Sequence, residues 1–468
     1  MSVSNSSDDT LDRANATLNQ GQDLRLVTLF TATCIAIANM VGTGVFTSLG
    51  FQVIDIQSGF SLLFLWLIGG IFALSGALCY GELGAAMPRS GGEYHYLSQI
   101  YHPVVGFLSG WVSITVGFAA PIAAAAMALG AYFSSVFLAP PLAVTPGEYS
   151  SNVPLTLPIT IATIAVIAIS LLHCQNLKLG SIFQQAFTLL KVLLIAILIL
   201  SGLFLATPQD VSFLPSTQDF PLIFSSPFAI SLVYVTYSYS GWNASVYLAS
   251  EIKEPEKNLP RSLLIGTAIV MVLYLLLNFI FLYSTPIDKM AGELEVGAVA
   301  ASHIFGNSGG KIMSLLIAFG LISSISSMVW AGPRVTQVIG EDIPFFRILA
   351  KKNRHGVPHY AVLLQLGIVI ALLITATFEA VIAYLGFTLT LSSFMTVLGV
   401  FVHRWRYPDA SRPYRTWGYP VTPIIFLAIS LWILIFLLMG KPIESLAGLA
   451  TIALGLPFYW IAFKRKLT

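Results

Sequence analysis

The sequence predicts an all-α protein that crosses a membrane many times. Hydrophobic residues make up 56% of the 468 positions, charged residues only 9%, and the mean hydropathy is +0.83. A soluble domain normally places charge on about a quarter of its residues, so this chain lacks the composition for a water-facing surface. Its apolar runs reach the roughly 20 residues that a helix needs to cross a hydrocarbon core, and they lack the alternation of barrel strands.

Twelve apolar segments are predicted as transmembrane helices, and this even number leaves both ends of the chain on one side. The segments are 26–46, 61–80, 105–137, 155–173, 182–205, 222–248, 263–283, 312–330, 360–377, 381–402, 421–439 and 446–463. They form one predicted domain, 26–463, between a polar tail of residues 1–25 and a short tail of residues 464–468.

The basic residues predict the orientation of the chain. If both termini are cytoplasmic, 19 of the 23 Lys and Arg residues lie inside, Lys289, Lys311 and Lys441 lie outside, and Lys191 lies within the fifth segment. An excess of Lys and Arg is typical of cytoplasmic loops. The sequence therefore predicts a multi-pass protein of the plasma (inner) membrane with cytoplasmic termini. Its transmembrane segments are expected to contact the lipid bilayer.

Two of the segments carry glycine and polar residues at mid-membrane. The first contains ANMVGTGVF at 38–46 and the sixth contains TYSYSGWNAS at 236–245. Each glycine costs a helix about 1 kcal/mol, and lipid offers the backbone no compensating water. Paired interruptions are typical of inverted-repeat transporters that bind solute at midplane. The predicted repeats are 26–205 and 222–402, with extra helices in 421–463. The alternative is close helix packing through small residues.

An interrupted helix exposes backbone groups of both polarities. The N–H groups near Gly42, Thr43 and Gly44 suit a carboxylate, and the Thr43 hydroxyl adds a donor. The carbonyl groups that end the preceding half-helix suit an ammonium. Tyr237 and Trp242 flank the second break and are candidates for closing over a ligand, although each aromatic taken singly fits packing as well. These features predict that a small zwitterion binds between the breaks.

Lys191 lies nine residues into the fifth segment, about 13 Å deep at 1.5 Å per residue. A lysine at this depth is a functional candidate because burial disfavours its charge. We weigh a proton-linked switch, a fixed ammonium in the place of a sodium ion, and a structural lysine paired with carbonyl groups. An ammonium that stabilises the broken first helix would be both a fixed charge in the place of sodium and a structural lysine paired with carbonyl groups.

Three further polar residues are candidates for the cavity wall, namely Asn278 in the seventh segment and Ser323 and Ser327 in the eighth. Packing between helices explains such residues equally well. The cysteines are isolated within segments, without metal-ligand or redox spacing, so we expect no metal and no cofactor. Neither HExxH nor a GxxxxGK[ST] loop occurs, which argues against an intramembrane enzyme and an ATP-driven pump. Nothing in the sequence indicates a nucleic-acid partner.

Four motifs carry a family resemblance. They are GTGVF at 42–46, YGELGAAMPRSGGEYHYL at 80–97, SGWNASVYLASEIKEPEKNLPRS at 240–262 and RPYRTWGYPVTP at 412–423. In this order they resemble the amino acid, polyamine and organocation superfamily, close to the branch of the L-type and cationic amino acid transporters. The resemblance implies a leucine-transporter-like fold of five plus five inverted helices, with two extra helices and discontinuous helices 1 and 6.

The resemblance also implies roles for single residues. Gly42, Thr43 and Gly44 match the positions that hold the substrate carboxylate. Lys191 follows QQAFTLLK and matches the lysine that replaces sodium in such proteins. The positions that match carbonyl ligands of the substrate amino group are Met40, Tyr237 and Ser240, and Tyr237 also matches the gating aromatic. Ser240 stands where the family has glycine, which leaves the side-chain specificity open.

The sequence thus predicts a secondary amino acid transporter that works by alternating access, as an exchanger or a proton-linked symporter. Neutral L-amino acids are favoured because no carboxylate is expected in the binding region, although Glu82 and Glu251 could approach from helix ends. A sodium-coupled symporter and a sensor that binds without transport are the alternatives. Whether an accessory subunit exists is left open.

Overall fold

The computed structural model describes residues 26–137, 157–175, 177–293, 295–375 and 378–464. The predicted N-terminal tail lies outside these ranges, as do all but one residue of the C-terminal tail and the first two residues of the fourth segment. Within the described ranges the chain is helical, and its extended pairing is limited to one isolated bridge between Val27 and Ile252.

Seventeen α-helices are described. They are α1 (Leu29–Met40), α2 (Gly44–Asp55), α3 (Gly59–Ala86), α4 (Glu93–Ile100), α5 (Pro103–Val112), α6 (Ala119–Phe137), α7 (Leu157–Gln175), α8 (Leu177–Leu205), α9 (Asp219–Ile223), α10 (Ser226–Tyr239), α11 (Pro255–Ser284), α12 (Ile287–Met290), α13 (Val296–Asp342, interrupted at Gly306), α14 (His359–Thr375), α15 (Phe378–Arg406), α16 (Val421–Gly440) and α17 (Pro442–Lys464).

Ten stretches in the described part are long and apolar enough to cross a membrane. The polytopic all-α class is thereby confirmed, and the chain is a multi-pass membrane protein. Two predicted segments fall short of that length for different reasons. The sixth is divided into α9, α10 and a 3-10 helix at Ala244–Glu251. The ninth is described only as α14, because its last two residues, 376 and 377, lie outside the described ranges.

Both predicted breaks are present. Helix α1 ends at Met40 and α2 begins at Gly44, while α10 ends at Tyr239 and is followed by a turn that contains Gly241. Gly241 has φ +95°, and a Cβ atom there would lie 2.7 Å from the Cβ of Asn39. Only glycine fits this conformation and this approach, so the second break packs directly on the first.

Charged residues fasten one end of the bundle, which we call the basic end and define by Arg89, Arg334 and Arg404. Arg404 forms a bidentate ion pair with Glu82 at 2.8 and 2.7 Å. Arg89 pairs with Asp342 at 2.6 Å, and Arg334 pairs with Glu251 at 2.9 Å. These pairs join helix ends that are far apart in sequence.

A buried carboxylate fastens the opposite end, which we call the far end. Asp219 begins α9 and accepts hydrogen bonds from the Ser61 hydroxyl at 2.7 Å, from the Ser216 backbone N–H at 2.6 Å, and from the hydroxyls of Ser58 and Ser216. Burial raises the pKa of this carboxyl, but the donors outweigh burial and leave the pKa below its usual value. Asp219 therefore ties the loop before α10 to the start of α3.

Candidate functional site

A cavity of about 110 Å³ lies between the two breaks. That volume is several times the roughly 10–15 Å³ that one buried water molecule requires, so the cavity suits a small solute. Its walls come from both breaks and from α3, α4, α6, α13, α15 and α16. The predicted binding and gating residues that line it are Met40, Gly42, Thr43, Gly44, Tyr237, Ser240 and Trp242.

The first break presents unpaired donors to this cavity. In the described part of the chain, the backbone N–H groups of Thr43 and Gly44 donate to no protein acceptor. The Gly42 N–H differs because it donates to the Met40 carbonyl at 2.8 Å. The free donors stand at the N-terminus of the twelve-residue helix α2, where the helix dipole favours negative charge.

The two glycines of the GTG motif have different surroundings. A Cβ atom on Gly44 would lie 2.6 Å from the Cα of Ser238, so α2 and α10 touch backbone to backbone there. A Cβ atom on Gly42 would meet only the Ser324 Oγ at 3.8 Å and the Met40 carbonyl at 3.9 Å. Gly44 is therefore needed for helix packing, whereas Gly42 leaves space open.

The far-end side of the cavity is closed by contacts between α2 and α10. The Thr43 hydroxyl and the Tyr237 hydroxyl are 3.0 Å apart and share a hydrogen bond. One turn further out, the hydroxyls of Ser48 and Ser238 are also 3.0 Å apart. These two contacts hold α2 against α10 on the far-end side of the cavity.

The carbonyl groups at the breaks differ in how many bonds they already accept. The Met40 carbonyl accepts from the Gly42 N–H and from the Tyr274 hydroxyl at 2.6 Å, and the Tyr237 carbonyl accepts from the Ser240 N–H at 2.9 Å. The Ser240 carbonyl accepts no bond from the described protein. Among the predicted ammonium ligands, Ser240 is thus the one with both lone pairs free.

Tyr274 on α11 was not among the predicted site residues. Its hydroxyl lies 2.6 Å from the Met40 carbonyl and 2.9 Å from the Ser238 carbonyl, so it joins the two breaks. The hydroxyl is buried and holds one carbonyl from each break at a fixed separation. A tyrosine inside an apolar helix gives no sequence signal for such a role, because its target is backbone.

Trp242 lies on the basic-end side of the second break. Its ring is 4.7 Å from that of Tyr80 and 5.9 Å from that of Phe426, in both cases near-perpendicular. Phe426 also lines the cavity. Edge-to-face packing of this kind fixes the indole at the cavity wall.

Lys191 lies behind the first break rather than in the cavity. Its side chain is buried, and Nζ donates to the Val41 carbonyl at 2.5 Å, to the Ser324 hydroxyl at 2.7 Å and to the Ala38 carbonyl at 3.4 Å. These carbonyl groups end α1, where the helix dipole favours a cation. The ammonium therefore supplies donors to a helix end that has lost its own.

The three candidates for the cavity wall are absent from the described lining. Asn278 donates to the Tyr274 carbonyl at 2.8 Å within α11. Ser323 meets Thr188 at 3.3 Å, and Ser327 donates to the Ser324 carbonyl at 2.9 Å. Ser323 and Ser327 bond to a neighbouring helix or to the preceding turn, as the packing interpretation expects, whereas Asn278 bonds within its own helix and its buried Oδ1 has no partner in the described chain.

The carboxylates near the site also differ from expectation. Glu82 is held by Arg404, and Glu251 by Arg334, so neither reaches the cavity. Glu93 does line it, although the sequence argument for neutral substrates assumed that no carboxylate would. Burial raises the pKa of this carboxyl. The only sequence signal was its place inside the SGGEY part of the 80–97 motif.

This architecture defines a class of protein. Two interrupted helices that face each other across a solute-sized cavity, within a multi-pass helical bundle, are typical of secondary transporters. The amino acid permease family matches residues 27–463. The chain belongs to this family, which lies within the superfamily that the motifs resemble.

The chain is similar to several characterised transporters over nearly its whole length. The b(0,+)-type amino acid transporter 1 of Mus musculus is 29% identical over 443 residues, which cover 93% of this chain and 87% of the relative. The serine/threonine exchanger SteT of Bacillus subtilis (strain 168) is 29% identical, with 94% and 97% covered. The large neutral amino acids transporter small subunit 2 of Mus musculus is 27% identical, with 92% and 80% covered. These relatives are transporters and not enzymes.

Proposed function

We propose that the chain is a secondary active amino acid transporter that binds one amino acid between its two breaks. The proposal rests on one observation. The same cavity is lined by Thr43 and Gly44, whose N–H groups are free, and by Ser240, whose carbonyl is free. Opposite polarities in one small space match the two charges that every α-amino acid carries. Membership of the amino acid permease family supports the same conclusion.

The substrate carboxylate is assigned to the first break. The N–H groups of Thr43 and Gly44 donate to it, and the open space at Gly42 lets the carboxylate approach the backbone. Charge-assisted bonds of this kind contribute about 1.5–3 kcal/mol each. The Thr43 hydroxyl becomes a third donor when its bond to Tyr237 opens.

The substrate ammonium is assigned to the carbonyl groups of Met40, Tyr237 and Ser240. Ser240 is the main ligand in this assignment, because the Met40 carbonyl already accepts two bonds and the Tyr237 carbonyl accepts one. The ends of α1 and α10 both present negative dipole ends to this point. The ends of α1 and α10 therefore favour the substrate ammonium and disfavour its carboxylate.

Alternating access is assigned to the gates on the two sides of the cavity. Tyr237 closes the far-end side through Thr43, and Trp242 stands at the basic-end side against Tyr80. Opening of one gate while the other stays closed admits the substrate to each side in turn. We infer that the basic end is cytoplasmic, because positively charged loops favour that side.

Twelve crossings with both termini cytoplasmic, in a plasma (inner) membrane, complete the proposal. The paired breaks favour an inverted repeat of residues 26–205 and 222–402. Lys191 is proposed as the stand-in for a coupling sodium ion, since its ammonium already fills the carbonyl end of α1. Transport then runs by exchange or with a proton.

The test uses purified protein in liposomes. Liposomes loaded with unlabelled L-threonine or L-leucine are diluted into the labelled amino acid, with and without sodium and a pH gradient. We expect uptake that depends on the internal amino acid or on the pH gradient, and not on sodium. Saturable binding without any uptake would instead make the chain a sensor. Uptake that requires sodium would support the sodium-coupled alternative.

A further inference from the structure

Glu93 is a buried carboxylate on the wall of the substrate cavity. It begins α4, directly after Gly91 and Gly92, whose φ angles are +112° and +53°. A Cβ atom on Gly92 would lie 2.4 Å from the ring of Tyr247, so the turn packs tightly under the second break. The turn at Gly91 and Gly92 therefore places the Glu93 carboxylate at the wall of the cavity.

The hydrogen bonds of Glu93 leave one oxygen unused. Oε1 accepts from the Tyr80 hydroxyl at 2.9 Å and from the Asn243 amide at 2.7 Å. Oε2 has no partner that meets hydrogen-bond geometry in the described chain, although the Tyr247 hydroxyl also faces this carboxyl, and the residue is only 4% exposed. An ionised carboxylate can accept about four bonds, so half of this group's capacity is vacant.

The arginines that define the basic end, together with Arg412, lie against other carboxylates. Arg404 and Arg412 lie against Glu82, Arg334 against Glu251, and Arg89 against Asp342. Among the described residues, Glu93 takes part in no ion pair. A buried carboxylate without a partner is unfavourable, and a cation that enters the cavity removes that penalty.

We propose that Glu93, supported by Asn243, is a subsite for a cationic group at the end of the substrate's side chain. The proposal rests on the proposed function, since the breaks hold the α-amino and α-carboxyl groups while Glu93 receives the side chain. Asn243 stands in the same wall, directly after Trp242, and its amide holds the carboxylate in place. Basic amino acids such as L-lysine and L-ornithine are then substrates together with neutral ones.

The test compares amino acids that differ by one ammonium group. L-Lysine is paired with L-norleucine and L-ornithine with L-norvaline, and each competes for binding to the purified wild-type, Glu93→Gln and Glu93→Asp proteins. We expect Glu93→Gln to weaken both cationic ligands at least tenfold and to change both neutral ligands less than twofold. Glu93→Asp keeps the charge and should retain the preference for the cationic member of each pair.

A purely structural role for Glu93 predicts a different pattern. If Glu93 serves only to hold Tyr80 and Asn243, weaker acceptance by the neutral amide of Glu93→Gln would weaken all four ligands equally, which would overturn the proposal. The control Tyr80→Phe removes one donor and leaves the carboxylate, so it should keep the preference. Wild-type protein that binds norleucine but neither cationic ligand would refute the subsite alone. Wild-type protein that binds none of the four, and neither L-threonine nor L-leucine, would refute the proposed function itself.

Discussion

Replacing Gly42 with alanine separates substrate binding from helix packing. A methyl group on Gly42 would have two neighbours within 4 Å, both at the ordinary contact distances of 3.8 and 3.9 Å. Gly42 also does not use a left-handed conformation, so alanine fits the backbone without strain. The folded protein should therefore keep its melting temperature to within a few degrees, which leaves the lost space in the cavity as the main effect.

The size of the binding defect follows from the bonds at stake. A methyl group beside the Thr43 and Gly44 N–H groups holds the substrate carboxylate away from at least one of them. One charge-assisted hydrogen bond is worth about 1.5–3 kcal/mol, and 1.4 kcal/mol is a factor of ten in affinity. We expect the Kd for L-threonine or L-leucine, whichever the wild type binds, to rise about 10- to 100-fold.

The assay is the thermal stabilisation of the purified protein as a function of amino acid concentration. Gly367→Ala is the matched control, because Gly367 is exposed on α14 and its added Cβ would meet nothing within 4 Å. Wild-type affinity in Gly42→Ala would refute the assignment of the carboxylate to this break. Gly44→Leu is a weaker test, since its clash with Ser238 would disrupt the packing of α2 on α10 as well.

Three further outcomes follow from the same geometry. Tyr237→Phe removes the bond to Thr43, worth about 0.5–1.5 kcal/mol. Phe51 on α2 stacks on Tyr234 of α10, so a cysteine placed at position 51 in a background without native cysteines should react about 2- to 10-fold faster with an impermeant maleimide when these helices separate. Gly241→Ala should lower the melting temperature and the folded yield, because φ +95° and the contact with Asn39 both exclude a side chain. Asp219→Asn should lower the melting temperature at pH 7, and the deficit should shrink as the pH falls below about 4. A carboxyl with a lowered folded-state pKa contributes its full stability above the unfolded-state pKa and loses it progressively as the pH falls from there through the folded-state pKa.

Much of this fold could be predicted from residue type alone. Membrane helices must satisfy their own backbone, so apolar length located the segments and glycine located the breaks at Gly42 and Gly241. The sixth segment was harder, because α10 is followed by a turn and a 3-10 helix whose Ala, Val, Tyr and Leu residues fit a continuing α-helix as well. Hydropathy does not distinguish these two backbone forms.

The candidate site could be predicted only where backbone chemistry shapes it. The GTG motif was chosen because a break exposes N–H and carbonyl groups wherever it occurs, Ser240 because the family resemblance points to its carbonyl, and both line the cavity. Tyr274 and Glu93 were missed because their roles depend on which helices become neighbours, and a single sequence does not encode that in any local pattern. Asn278 was a candidate for the cavity wall with bonding between helices as the alternative, and its amide instead donates to the Tyr274 carbonyl within α11.

Lys191 offers a test of how the transporter is driven. Its Nζ donates to the Ala38 and Val41 carbonyls at the end of α1, so a sodium ion at that point would meet a fixed positive charge. In Lys191→Ala the Val41 carbonyl still accepts from the Ser324 hydroxyl at 2.7 Å, which leaves that buried acceptor satisfied. We therefore expect the variant to fold, with a smaller loss in melting temperature than a buried ion pair would cause.

Transport should respond more strongly than folding to this change. Without the ammonium, the end of α1 loses the charge that favours its broken form, so we expect uptake of L-threonine or L-leucine into liposomes to fall at least tenfold and its dependence on pH to change. Lys191→Arg keeps a charge but not the compact geometry, and should recover little activity. Wild-type rates in Lys191→Ala, or sodium-stimulated uptake by the wild type, would show that the ammonium does not stand in for a coupling ion.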